Sequence, residues 1–244
     1  MNYPVFVIFA IHPQSDICME SSDVKMESPG GKEGKLFTMQ DVAVLREIIL
    51  HRRDVRGGRF IDKPVEQQEL DQLLAAALHA PSVGFSQPWD FVLIRNMATR
   101  LQVKDSFDEV NAAAQPLFDE RQDRYARLKL EGILEAALNI AVFYKPSTEP
   151  VLGQTSMREA GLYSVVCAIQ NMWLMARALN IGLGWVSILD PLKVCRILNA
   201  PPGHQLVAYL CIGYTDGFFT RPELEILEWE RRKEQETVVR YEHF

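Results

Sequence analysis

The chain has 244 residues, 48% of them hydrophobic and 24% charged, with a formal net charge of −6 and a pI near 5.5. That length suits one large domain or two small ones, and the acidic balance argues against a nucleic-acid binder, which depends on a basic face. No apolar run approaches the roughly 20 residues that cross a bilayer. The opening MNYPVFVIFAIH lacks a basic flank and a clear small-residue cleavage site, so it is not read as a signal peptide. The expectation is a cytoplasmic protein with no nucleic-acid or membrane partner.

Residues 1–37 differ from the remainder. After the apolar start comes SSDVKMESPGGKEGK, a composition that cannot bury enough apolar surface to fold and reads as a flexible tail. Met19, Met26 and Met39 are alternative starts, so this segment is also compatible with an overlong gene start. Order is expected from Thr38, which with Asp41 resembles an N-terminal capping box, while Val42, Leu45, Ile48 and Ile49 line one helical face.

HRRDVRGGRF (His51–Phe60) follows, with Arg52, Arg53, Asp54 and Arg56 close together and Gly57 and Gly58 freeing the backbone to turn. Guanidinium forks match phosphate oxygens through paired charge-assisted hydrogen bonds. A solvated, internally paired cluster has the same composition, and this stretch alone does not choose between them. A second helix is expected from Pro64, carrying Leu70, Leu73, Leu74, Ala77 and Leu78 and ending before Pro81. His79 falls in its last turn, where an imidazolium complements the helix dipole.

Beyond the loop Ala80–Trp89, the pattern gives a strand at Phe91–Ile94, a helix from Ala98 to about Ala114, and another helix carrying Tyr125, Leu128, Leu130, Ile133 and Leu134. A strand at Ala137–Tyr144 and a loop at Lys145–Gly153 follow. Glu159–Leu179 is the longest helical pattern. It is apolar on more than one face and therefore belongs at the domain centre or a subunit interface. A strand at Trp185–Leu189, a short helix at Leu192–Leu198 and a strand at Leu206–Tyr214 complete the ordered part. From Thr215 the chain is polar, with Leu224, Ile226, Leu227 and Trp229 as anchors for an arm that would wrap a partner subunit.

The class is α+β, with four or five strands. The organisation is a tail (1–37), one domain (38–217) and a C-terminal arm (218–244). Cys18, Cys167, Cys195 and Cys211 form no CxxC pair, and the five histidines are too dispersed for a metal site. No GxGxxG follows a strand, so a Rossmann dinucleotide site is not indicated.

Singly, Ser82 is a turn residue, Ser187 a core hydroxyl and Lys129 a solvated helix lysine. In combination, RRDVR (Arg52–Arg56), HAPSVGFSQPW (His79–Trp89), RLKLEGI (Arg127–Ile133), LYSVVCAIQNMWLMARA (Leu162–Ala178) and GLGWVSILDP (Gly182–Pro191) resemble the flavin-dependent nitroreductase family. Within it they resemble the 5,6-dimethylbenzimidazole synthases. The aspartate inside RRDVR and the RLKLEGI stretch carry that narrower likeness. The second glycine of RGGRF departs from the family pattern, and residues 1–37 have no counterpart in it.

The resemblance implies an FMN-binding fold, a central mixed or antiparallel sheet surrounded by helices, and a domain-entwined homodimer with two sites built from both subunits. It implies FMN contacts from Arg52, Arg53, Asp54, Val55 and Arg56, from Pro81, Ser82, Val83, Gly84 and Gln87, from Lys129 and Leu130, and from Ser187. Gly84 would leave room for the isoalloxazine, and Trp89 and Trp185 would pack. The implied reaction is oxidative fragmentation of reduced FMN with O2 to 5,6-dimethylbenzimidazole and D-erythrose 4-phosphate, which makes the lower ligand of cobalamin; a separate flavin reductase supplies the reduced FMN. Asp54, kept ionised by its arginine neighbours, would act as general base and Ser187 would orient the flavin. The alternatives are a generic FMN-dependent NAD(P)H nitroreductase and a non-catalytic flavin-binding dimer.

Overall fold

Thr38 opens the fold as its chemistry dictates. Its side chain accepts the backbone N–H of Asp41 and the Asp41 carboxylate accepts that of Thr38, so two otherwise orphaned donors are satisfied at the start of α1 (Met39–His51). The computed structural model describes residues 34–244, and Thr38–Phe244 form one compact unit. Of the tail expected over residues 1–37, residues 1–33, with Cys18, lie outside the described residues. α1 has the expected apolar stripe but buries none of it; Leu45, Ile49 and Leu50 are each about half exposed.

The remaining elements are α2 (Gln67–Leu78), β1 (Trp89–Ile94), α3 (Met97–Ala114), α4 (Gln122–Arg127), β2 (Leu138–Tyr144), α5 (Ala160–Ala178), β3 (Gly182–Val186), α6 (Pro191–Ile197), β4 (Gln205–Gly213), α7 (Glu223–Ile226) and α8 (Gln235–Val238). The four strands form one sheet in the order β1-β2-β4-β3, every pair antiparallel. Side-chain alternation along the two central strands sends residues to both faces. Leu138, Ile140, Val142, Ala208, Leu210 and Ile212 pack with α2 and α5 residues such as Leu73, Ile169 and Met172. Ala141, Phe143, Tyr209 and Cys211 pack with Val103, Phe107 and Val194 of α3 and α6. Both faces are covered, so these strands read as continuous apolar runs. Burying a side chain such as Ile169 or Met172 contributes about 1.5–3 kcal/mol.

Three expectations are corrected. The second helix begins at Gln67, with Glu66 as its cap, so Pro64 stays outside it. The helix expected across Tyr125–Leu134 stops at Arg127, and Leu128–Gly132 carry no helical structure. Tertiary contacts account for this. The Glu131 carbonyl accepts the N–H of Gly57 at 2.6 Å, and a Cβ on Gly132 would lie 2.6 Å from the Phe60 ring. β3 begins at Gly182 and ends before Ser187, because its glycines are needed where another backbone crosses it. The C-terminal arm folds onto its own chain as far as Trp229, whose ring packs 5.3 Å from that of Phe118 and 6.3 Å from that of Tyr125.

Candidate functional site

The arginine segment crosses the edge strand β3. Asp54 makes a single parallel bridge with Leu183, and the Val55 N–H donates to the Leu183 carbonyl at 3.1 Å. The approach is close enough that a Cβ on Gly184 would lie 2.2 Å from the Val55 carbonyl oxygen. Glycine is therefore a steric requirement at this crossing. The Val55 side chain is buried in the core, so this residue offers a ligand only its backbone.

Asp54 is fixed from two sides. Its Oδ1 accepts the backbone N–H of Trp185 at 3.2 Å, and its Oδ2 pairs with the Arg56 guanidinium. Burial raises its pKa above the ordinary carboxylate value, against the opposing charges of Arg56 and Arg52 and the Trp185 hydrogen bond. This corrects the expectation that the arginines dominate. Desolvation outweighs them and makes Asp54 a stronger base than its neighbours suggest.

The arginines divide their work. Arg53 donates to four backbone carbonyls: Phe219 at 3.0 Å, Thr220 at 2.6 Å, Leu50 at 2.8 Å and Arg52 at 2.7 Å. It clamps the C-terminal segment through the Phe219 and Thr220 carbonyls. Arg52 stacks 4.5 Å over the Trp173 ring, and burial lowers its pKa. Among the described residues, the Nε of Arg56 is buried without a partner. These residues line a cavity of about 570 Å3 with Asp54, Gln170 and the arm residues Arg221, Glu223, Glu225 and Arg232. Sequence reasoning gave no site role to Trp173, Gln170, Glu223 or Arg232, although Gln170 and Trp173 fall within the Leu162–Ala178 stretch that carries the family resemblance and Arg232 within a run of charged residues.

The Pro81–Gln87 loop lies elsewhere. Gly84, Phe85 and Gln87 all have left-handed backbone, with φ of 55°, 53° and 47°, which costs roughly 1–2 kcal/mol for each non-glycine residue. The loop is held by the Ser82 Oγ, which accepts the Gln87 N–H, and by the Ser164 Oγ, which accepts the Val83 N–H, each at 3.1 Å. A Cβ on Gly84 would lie 2.7 Å from the Leu152 carbonyl oxygen. The space that a side chain at this position would occupy is taken by the Leu152 backbone. Gly84 and Gln87 line a second cavity, of about 640 Å3, closed by Tyr144–Gln154.

One chain does not bring the two parts together. Ser164 holds the loop, while Trp173 Nε1 donates to the Arg53 carbonyl at 3.3 Å. Nine residues of α5 separate these anchors, about 14 Å at 1.5 Å per residue. Lys129 and Leu130 line a third cavity, of about 340 Å3, with Gly57, Tyr125 and Glu131. The Lys129 carbonyl faces Arg56 Nη1 at 3.5 Å. Ser187 is exposed just past the end of β3, two residues beyond the Trp185 that holds Asp54.

A model of the nitroreductase family matches residues 49–214. A 5,6-dimethylbenzimidazole synthase from Rhodospirillum rubrum is 46% identical over 212 residues, covering 86% of this chain and all of that one. A protein of the same name from Rhodobacter capsulatus is 41% identical over 199 residues, 77% of this chain and 95% of the relative. Among solved structures, an iodotyrosine deiodinase bound to FMN and 3-iodo-L-tyrosine superposes with a TM-score of 0.65 at 22% identity. It covers 82% of this chain and 100% of its own, a likeness of fold.

Proposed function

The chain belongs to the nitroreductase family, and from that premise we propose that it is an oxygen-dependent oxidoreductase that fragments reduced FMN to 5,6-dimethylbenzimidazole and D-erythrose 4-phosphate, making the lower ligand for cobalamin. Its identity to relatives of that name supports the reading. The observation that carries it is Asp54, a half-buried carboxylate fixed by Trp185 and Arg56 inside a cavity lined with guanidiniums.

The residues fit FMN. A 570 Å3 cavity is within the range of roughly 300–1,000 Å3 typical of small-molecule sites. The unpartnered Arg56 Nε and the stacked Arg52 guanidinium are donors for phosphate or carbonyl oxygens. When bound, reduced FMN supplies both the electrons that activate O2 and the carbon skeleton of the product. Asp54 accepts a proton from the ribityl carbon beside the ring, and its raised pKa strengthens it as a base. Arg56 and the Trp185 N–H hold the carboxylate in place, so positioning supplements basicity. The Ser187 hydroxyl would orient the ring edge, and Lys129 and Leu130, which line the cavity beside Gly57, would lie toward the ring or its chain.

Each site is shared by two chains. The exposed apolar face of α1 is the surface expected to pair, and the arginine segment and the Pro81–Gln87 loop, whose anchors lie about 14 Å apart along α5, meet across the subunit boundary. A separate flavin reductase supplies reduced FMN.

The test is a single turnover. Protein loaded with one equivalent of FMN is reduced chemically and exposed to air, and 5,6-dimethylbenzimidazole is sought by mass spectrometry. The product mass, with incomplete return of flavin absorbance, supports the reading. Full recovery of the flavin spectrum without that product replaces it with a generic nitroreductase or a flavin carrier. Asp54→Asn is expected to keep FMN binding and abolish product; product at the wild-type rate would remove Asp54 as the base.

A further inference from the structure

The C-terminal arm is fastened at two places. Arg53 holds its start through the Phe219 and Thr220 carbonyls, and Trp229 holds it further on. α7 ends with Glu228 in left-handed backbone (φ 55°), and the Trp229 N–H donates back to the Leu224 carbonyl at 2.8 Å. The half-buried indole meets the Phe118 ring edge-on, and Phe118 in turn stacks on Tyr125 with 4.6 Å between ring centres. The Arg121 guanidinium lies 5.4 Å from the centre of the indole, and Arg124 Nη1 donates to the Glu228 carbonyl at 3.2 Å. Phe118, Arg121, Arg124 and Tyr125 all belong to Gln115–Arg127, a 3-10 turn and α4, which otherwise pack chiefly on each other and on α3.

We infer that Trp229 is a positioning residue, which bears on Phe118 and Tyr125 and so holds the Tyr125–Leu130 wall of the cavity beside Gly57 in place for the proposed reaction. The inference rests on the FMN reading above, in which Lys129 and Leu130 lie toward the ring or its chain. Trp229 lines neither this cavity nor that of Asp54, so its effect has to be transmitted. Tyr125 transmits it. This residue is buried, lines the cavity with Lys129 and Leu130, and donates its hydroxyl to Asn111 Oδ1 at 2.7 Å. Its carbonyl accepts the Leu128 N–H at 3.0 Å. Leu128–Gly132 have no helix or strand to hold them, so their place depends on what anchors either end. Gly57 anchors one end through the Glu131 carbonyl, and Tyr125 with its aromatic cluster anchors the other. Edge-on and stacked rings fix relative orientation as well as burying area, which is what a positioning contact requires.

The experiment compares wild type with Trp229→Phe, Trp229→Ala, Phe118→Ala and the Trp229→Ala/Phe118→Ala pair, by amide hydrogen exchange on the flavin-free protein and by single turnover on the FMN-loaded one. In Trp229→Ala, amides of residues 115–130 should exchange roughly tenfold faster through local opening, while those of β2 and β4 keep the wild-type rate. Phe118→Ala should behave alike, and the pair should add little to either, because both substitutions remove the same contact. Trp229→Phe should restore most of the protection. In a single turnover, reduced FMN and O2 end either as fragmented product or as oxidised FMN and H2O2. Trp229→Ala should shift that partition several-fold toward recovered FMN, because a misplaced wall costs the reaction more than it costs binding. Equal acceleration of exchange in β2 and β4, additive effects of the two substitutions, or an unchanged partition despite faster exchange would each overturn the inference. A wild-type protein that yields no product refutes the function itself, and exchange over residues 115–130 then decides alone whether Trp229 holds the segment.

Discussion

Gly184→Ala tests the crossing that builds the site. The new Cβ would sit 2.2 Å from the Val55 carbonyl oxygen, a backbone atom that cannot swing aside. Relieving the overlap forces the arginine segment away from β3, which costs about 1–3 kcal/mol as overpacking. It also strains the hydrogen bond from the Val55 N–H to the Leu183 carbonyl, worth about 1 kcal/mol. The sum is roughly 2–4 kcal/mol, or a fall in Tm of roughly 5–15 °C for a chain of this size. Asp54 is attached to the displaced backbone and loses its grip on the Trp185 N–H, so product yield should fall more steeply than FMN affinity. Gly58→Ala is the internal control. Nothing lies within 4 Å of its Cβ position, and it should change stability by less than about 0.5 kcal/mol. Thermal melts and single-turnover yields on both variants decide the matter. A Gly184→Ala protein that melts within about 2 °C of wild type and makes full product would refute the steric argument.

Three further outcomes are expected. Asp54 titrates above the ordinary carboxylate value because its partial burial desolvates it, so single-turnover yield should rise with pH through that raised pKa. Stability contributed by protonated Asp54 moves oppositely, present below its unfolded pKa and lost as pH rises through the folded one. A pH-yield profile with its midpoint at or below the ordinary value would contradict the burial argument. Arg53→Ala removes the donors to the Phe219 and Thr220 carbonyls, and limited proteolysis should then cut the C-terminal segment several-fold faster; an unchanged cutting rate would mean the clamp is unimportant. Ile49→Glu places a charge on the exposed stripe of α1 and should shift the dimer toward monomer in sedimentation analysis, with loss of product. A wild-type protein that sediments as a monomer would end the shared-site model.

The sequence disclosed what depends on local chemistry. The Thr38 cap, the helical stripe of α5 and the apolar runs of β2 and β4 appear where periodicity and capping place them. It misled where distant backbone decided the local structure. Leu128–Gly132 has helical spacing, yet it gives up the helix to accept Gly57 and to fit Gly132 against Phe60. Trp185–Leu189 reads as a strand because it is apolar, while the strand that forms starts at the glycines that let Val55 pass. What Arg53 and Gly84 meet within their own chain was hidden as well. Which carbonyls a guanidinium meets, and what fills the space beside a glycine, are properties of segments more than 60 residues away. The Asp54 environment was half legible, since its charged neighbours could be read in the chain but its burial could not.

The 14 Å of α5 between the arginine segment and the Pro81–Gln87 loop has a genetic consequence if the loop serves the other chain. Two inactive proteins, one altered at Asp54 and one in the loop, would each keep the half that the other lacks. Subunit exchange between them would assemble one intact and one doubly damaged site in every mixed dimer. Random pairing makes half the dimers mixed, so activity should return to about a quarter of the wild-type sites. Damage in this fold would then be counted per pair of chains, and a defective copy could be rescued by a differently defective one.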